Sequence, residues 1–232
     1  MSRALRVDGA AWVLLSASLC LAAIAVTAAC AKMGSAPAAT PLGQALDWQP
    51  ALGLSQPWRL WTCAWVHGTA AHLAVNVAGG AVIAFVGWRA RLAPAAAVAW
   101  LLAWPGTQAL MAAIGDASLE AAMPHYFGLS GVLHAGVIVL GLSLAAWPPA
   151  RARAPASARG RDTPRAMTRE CWIGAAIIAG TLAKVALEAP WHLAPRPSEA
   201  LGIAVAPIAH ACGVGAGLLA WMAVRLIDSL RR

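Results

Sequence analysis

Six long apolar runs, at residues 10–31, 67–88, 92–114, 129–147, 171–189 and 205–227, divide the chain. Each is near the ~20 residues a helix needs to cross a bilayer. The intervals 32–66, 89–91, 115–128, 148–170 and 190–204 are marked by Pro, Gly or charge and predict loops. The pattern predicts an all-α, polytopic membrane protein of six transmembrane helices, with residues 1–232 forming one domain.

Composition agrees with that solvent. With 60% hydrophobic and 11% charged residues and a mean hydropathy of +0.67, the chain has too little polar surface to face water on all sides. Charge sets orientation. Arg3 and Arg6 precede the first run, Arg89 and Arg91 follow the second, and Arg151, Arg153, Arg159, Arg161, Arg165 and Arg169 follow the fourth. Arg225, Arg231 and Arg232 close the chain, while the alternate loops hold only Lys32, Arg59 and Arg196. This asymmetry predicts cytoplasmic termini and an outward-facing 115–128 loop. The net charge of +8 is therefore a topology signal, and no nucleic-acid partner is expected. Residues 148–170 read as a flexible Arg/Pro-rich cytoplasmic loop in contact with anionic lipid.

The N-terminal run ends in "VTAACA", which raises the question of a cleaved signal. It is longer than a signal core and lacks an aliphatic residue three before Cys30, so it is read as a membrane helix. The five cysteines, Cys20, Cys30, Cys63, Cys171 and Cys212, form no C-x-x-C pair and read as small packing residues. Tryptophans near run ends, such as Trp88, Trp147, Trp191 and Trp221, read as interface anchors.

Polar residues inside apolar runs are costly and usually face a cavity or a partner. His72, Asn76, Ser130, His134, Lys184 and His210 are the candidates, gathered toward the outer ends of their runs. His72 and Asn76, four apart, share a helix face. If the helix begins near His67, at the outer boundary, Asn76 lies about 14 Å below it. His210, Gly213 and Gly217 also share a face, on which the glycines admit another backbone. His125 and His192 read as exposed loop residues, and Arg59 as a donor that fixes the long outer loop.

Ser130 stands between Gly128 and Gly131 at the start of the fourth run. Glycine permits a tight turn there, and the first amides of a helix remain free to hold a developing oxyanion. A serine hydroxyl becomes a useful nucleophile when a neutral histidine takes its proton. Both His134, one helical turn away, and His210 meet that need, and spacing does not choose between them. No carboxylate partner is evident for either, since Asp116 and Glu120 lie in the outer loop, so a Ser-His dyad is expected. Lys184 and Glu188, four apart, read as a pair in the weaker order along a helix.

These residues resemble the rhomboid family of intramembrane serine proteases. The motifs are "WR" at Trp58–Arg59, H-x4-H-x3-N at His67, His72 and Asn76, G-x-S-G from Gly128 to Gly131, and A-H-x-x-G-x-x-x-G from Ala209 to Gly217. The resemblance implies a six-helix rhomboid-like bundle with Ser130 as nucleophile, His210 as base, and His72, Asn76 and the Ser130 amide in the oxyanion hole. It requires no cofactor or metal. Where rhomboids commonly carry an aromatic residue four after the serine, this chain has His134. "GLSGVLH" and "KVALE" look like the rhombosortase branch, which is associated with exported bacterial proteins bearing a C-terminal Gly-Gly, transmembrane helix and basic tail. That likeness implies an inner-membrane enzyme that clips such tails at the outer face; His134 itself reads as a supporting donor or a packed ring.

Other classes fit less well. A transporter should line a path across the whole membrane, whereas the polar set stays near one side. H-E-x-x-H is absent, and the runs hold no Asp apart from Asp228 beyond the last of them. A rhomboid-like protein that binds membrane clients without cutting them is the remaining rival.

Overall fold

A computed structural model describes residues 8–33, 36–52, 55–114, 117–146 and 168–231. The 148–170 linker, apart from its last three residues, lies outside the described residues, as do Arg3, Arg6, Asp116, Trp147 and Arg232. Nine α-helices are described, and the long ones follow the apolar runs. They are α1 Ala10–Ala31, α2 Pro41–Leu46, α3 Arg59–Thr62, α4 Ala70–Arg89, α5 Pro94–Ile114, α6 Ala117–Ala122, α7 Ser130–Ala146, α8 Arg169–Leu187 and α9 Pro207–Leu230.

Five helices, α1, α4, α5, α8 and α9, are long and apolar enough to cross a membrane. The chain is thus mostly helical and polytopic by length and composition. The fourth run yields the shorter α7, of 17 residues or about 25 Å. It is enclosed by its neighbours, with most of its residues buried, and packs against α4, α5, α8 and α9.

Helix starts follow local chemistry. Thr69 caps α4 by accepting from the His72 amide at 3.1 Å, and Thr168 caps α8 through the Cys171 amide. Pro207 opens α9, where a missing N–H costs nothing and the ring already holds a helical φ. Two expected boundaries change as a result. Residues 67–69 turn before α4 instead of belonging to it, and 205–206 precede α9.

Between α8 and α9 the chain also forms an antiparallel hairpin, β1 Arg196–Ser198 with β2 Ile203–Val205, which the all-helical expectation did not include. Its turn ends on Gly202 at φ +62° and is pinned where Thr69 Oγ1 donates to Leu201 O at 2.6 Å. Three-residue strands carry too little alternation to be visible as a pattern.

Tryptophans occupy the core. Trp12 and Trp100 lie 4.6 Å apart between ring centroids, and their indole N–H groups donate to Ile83 O at 2.9 Å and Val132 O at 2.8 Å. Gly136 makes the room for Trp100, since a Cβ there would stand 2.6 Å from the indole. Trp88 and Trp191 are exposed, whereas Trp221 is half-buried beneath the Arg225 guanidinium.

Ahead of α4, the long loop folds back on itself around a buried ion pair. Arg59 donates from Nη1 to Asp47 Oδ1 at 2.9 Å, Asp47 O at 2.6 Å and Gln44 O at 2.7 Å. The loop-fixing role expected of Arg59 takes this form. Trp48 and Tyr126 exchange backbone hydrogen bonds of 2.9 and 2.7 Å, tying the loop to the segment that leads into α7. His125 is an exposed loop residue, as expected, and its Nδ1 lies 2.6 Å from Asp47 Oδ2.

Candidate active site

Ser130 is the first residue of α7, half-buried, with the approach fixed by Gly128. Gly128 has φ +120°, which L side chains rarely adopt, and its amide donates to Cys63 O at 2.9 Å. A Cβ on Gly128 would stand 2.7 Å from the His72 ring. The glycine therefore serves both the turn and the close approach of a histidine. At Gly131, a Cβ would come within 3.0 Å of both Ala209 O and the Tyr126 hydroxyl.

The helix that carries His210 meets α7 at glycine. A Cβ on Gly217 would stand 2.7 Å from Ala135 O, and one on Gly213 would overlap Gly131 O. This close seam brings His210 Nε2 to 3.1 Å from Ser130 Oγ. His210 is 4% exposed, at the site end of α9. Spacing left two bases open; geometry separates them. His134 Nδ1 lies 2.7 Å from the Ser130 backbone oxygen and its Nε2 3.1 Å from Lys184 Nζ, so both ring nitrogens are engaged away from the hydroxyl. The His134 ring stacks on His210, centroids 4.1 Å apart and planes 18° apart.

A carboxylate stands behind His210, a partner the sequence did not make evident. Glu188 Oε2 lies 2.7 Å from His210 Nδ1, while Oε1 accepts from Lys184 Nζ at 2.6 Å. Glu188 is the residue just past the end of α8, and that position lets its two oxygens serve different partners. Partial burial favours the neutral carboxyl, yet the hydrogen bonds from His210 and Lys184 outweigh it and hold Glu188 at about 2. A carboxylate only accepts, so His210 donates to it from Nδ1, and the ring is turned with Nε2 toward the Ser130 hydroxyl.

On the facing helix, His72 and Asn76 are buried and border the same cleft as Ser130 and His210. Asn76 Nδ2 donates to His67 Nε2 at 3.1 Å. His67 is therefore not about 14 Å above Asn76. It precedes α4, and the turn at residues 67–69 folds its fully buried ring back beside His72, centroids 4.7 Å apart. With Nε2 accepting, the His67 proton sits on Nδ1, facing Trp65 O at 3.3 Å. Burial lowers His67 to about 4, which keeps it neutral at ordinary pH. His72 Nδ1 is buried with no hydrogen-bond partner.

The cleft encloses about 1250 Å³ and runs from the hairpin down between α4 and α8. Val75, Gly79 and Val82 line one wall and Ile177, Gly180 and Thr181 the other. Among the described residues, no three His, Cys, Asp or Glu side chains gather in a way that would hold a metal ion.

Glu188 as a partner of His210 and Tyr126 as a neighbour of Gly131 were both missed in the sequence. The Tyr126 hydroxyl is buried without a hydrogen-bond partner, and burial pushes it well above the ordinary tyrosine range. Its position had no sequence signal. Glu188 had one, its spacing from Lys184, which pointed to a local pair and not to a contact with His210. Comparison of the chain with known protein families and with curated proteins finds no match.

Proposed function

We propose that the protein is an intramembrane serine endopeptidase of the rhomboid type, working through Ser130, His210 and Glu188. The observation that carries this reading is the chain of contacts from Ser130 Oγ to His210 Nε2 and from His210 Nδ1 to Glu188, with hydrogen bonds of 3.1 and 2.7 Å. In this reading α7 is the sixth spanning helix. The domain is a rhomboid-like bundle in a bacterial inner membrane, with cytoplasmic termini and the site toward the outer side.

In the reaction, Ser130 Oγ attacks the scissile carbonyl carbon while its proton passes to His210 Nε2. Glu188 stabilises the imidazolium without taking the proton itself. The tetrahedral oxyanion receives hydrogen bonds from the Ser130 amide, free at a helix start, and from His72 and Asn76. Asn76 has one amide hydrogen left after its bond to His67. Collapse breaks the C–N bond as His210 returns the proton to the leaving amine. Water, activated in turn by His210, then hydrolyses the acyl-enzyme.

The substrate is a membrane-anchored protein whose helix enters the cleft between α4 and α8 and unwinds near Ser130. The local motifs favour a tail with Gly-Gly, a transmembrane helix and basic residues, because Gly-Gly is a poor helix segment with an exposed backbone. The test is co-expression with a reporter bearing such a tail, beside labelling of the purified protein by a fluorophosphonate. Cleavage and labelling lost in both Ser130→Ala and His210→Ala support the reading. Correctly inserted wild type that neither cleaves nor labels favours a non-cutting client binder.

A further inference from the structure

Lys184 has no task in the reaction as written, yet it sits within the group of residues that performs it. Its side chain is 51% exposed, and the residue borders the cleft. An ammonium in an apolar helix calls for a partner, and Lys184 has two. Nζ lies 2.6 Å from Glu188 Oε1 and 3.1 Å from His134 Nε2.

Helix stability does not explain the pair. Lys preceding Glu by four is the weaker order, and a carboxylate at the C-terminal end of α8 opposes the helix dipole. The second contact explains more. An ammonium can only donate, so His134 Nε2 accepts from it and the His134 proton is on Nδ1. That N–H then donates to the Ser130 carbonyl at 2.7 Å. The result is a closed ring of hydrogen bonds. It runs from Ser130 Oγ through His210, Glu188, Lys184 and His134 and returns to the backbone of Ser130.

We infer that Lys184 is a positioning residue of this centre, a group that holds the carboxylate behind the base and, through His134, the backbone of the nucleophile. It touches neither the substrate nor the reacting atoms. Lys184 keeps Glu188 turned toward His210 and fixes His134 as a neutral ring lying flat against the base. The inference rests on the serine-protease reading above.

The experiment measures fluorophosphonate labelling of Ser130 in the full-length, detergent-solubilised protein. Wild type, Lys184→Met, Lys184→Gln and Lys184→Arg are compared, with the maximal rate separated from probe affinity. The Met change keeps a linear side chain close to the length of the lysine stem and removes every donor. The expected result is a maximal rate lowered about ten- to hundredfold in Lys184→Met, with probe affinity within about twofold. Arg, which retains charge and several donors, restores most of the rate, and Gln falls between the two. Equal maximal rates in wild type and Lys184→Met overturn the inference alone. So does an Arg variant no faster than Met, because then the donated hydrogen bonds are not what matters. If Lys184→Met fails to fold, the Gln and Arg variants decide on the same criterion. Wild type left unlabelled at Ser130, while a known serine hydrolase in the same detergent is labelled, overturns the serine-protease reading together with this one.

Discussion

The Glu188 carboxylate lies 2.7 Å from His210 Nδ1, joining the residue that follows one long helix to the first turn of the next across twenty-two residues of sequence. The hairpin and its flanks lie between them. Glu188→Gln should leave the helices intact and lower Ser130 labelling about 10²- to 10⁴-fold, since an amide fails to hold the imidazole in the required tautomer. A rate within twofold of wild type removes Glu188 from the mechanism and returns the site to a dyad.

Gly128 is constrained twice, by a φ of +120° and by the His72 ring 2.7 Å from where a Cβ would stand. Gly128→Ala should cost about 1–3 kcal/mol in stability. It should also depress labelling, because relief of the clash moves either His72 or the start of α7. Thermal unfolding in detergent, followed beside labelling, checks both; an unchanged unfolding temperature contradicts the account.

The Arg59–Asp47 pair holds the long loop ahead of α4, with the Asp47 side chain fully buried. Arg59→Met removes its charged partner, leaving His125 and Gln49 as the side chains that meet it, and should destabilise by about 1–3 kcal/mol. The double change Arg59→Met with Asp47→Leu should recover part of the loss. Limited proteolysis within residues 36–66 reads the effect at the loop itself, and equal cleavage of wild type and Arg59→Met counts against the pair as its anchor.

His67 gives a pH dependence of definite sign. Its folded-state value of about 4 lies below the ordinary histidine value of 6.5, so the folded protein favours the neutral ring. Stability is undiminished above pH 6.5 and is lost as pH falls from there toward about 4, by roughly 1.4 kcal/mol per unit. His67→Gln, whose side-chain oxygen can still accept from Asn76, should show a shallower decline across that window. Parallel unfolding curves for the two proteins contradict this assignment.

The long helices were legible because a bilayer demands continuous apolar length, and α1 runs over the very residues its hydropathy marks. Much of the candidate site was legible too. His72, Asn76, Ser130 and His210 were all marked by the expense of a polar group in an apolar run, and the four border one cleft. What stayed hidden depends on contacts between segments with no common period. His67 was placed too far from Asn76 because nothing local indicates that the chain turns before Ala70. Glu188 was assigned to Lys184 because its second oxygen meets a residue on another helix. The His125 contact requires Asp47, seventy-eight residues away, to be buried by a folded loop.

The glycine seam between α7 and α9 bears on how a mutational survey of this protein would read. Gly213 and Gly217 carry no functional group, yet any side chain there would push apart the helices that hold Ser130 and His210. Scored on activity alone, these two positions would rank with Ser130 and His210 in their intolerance. They are spacers, and their intolerance should scale with the volume introduced. At Ser130 and His210 it should follow chemistry, so that substitutions of matched volume fail as completely as large ones.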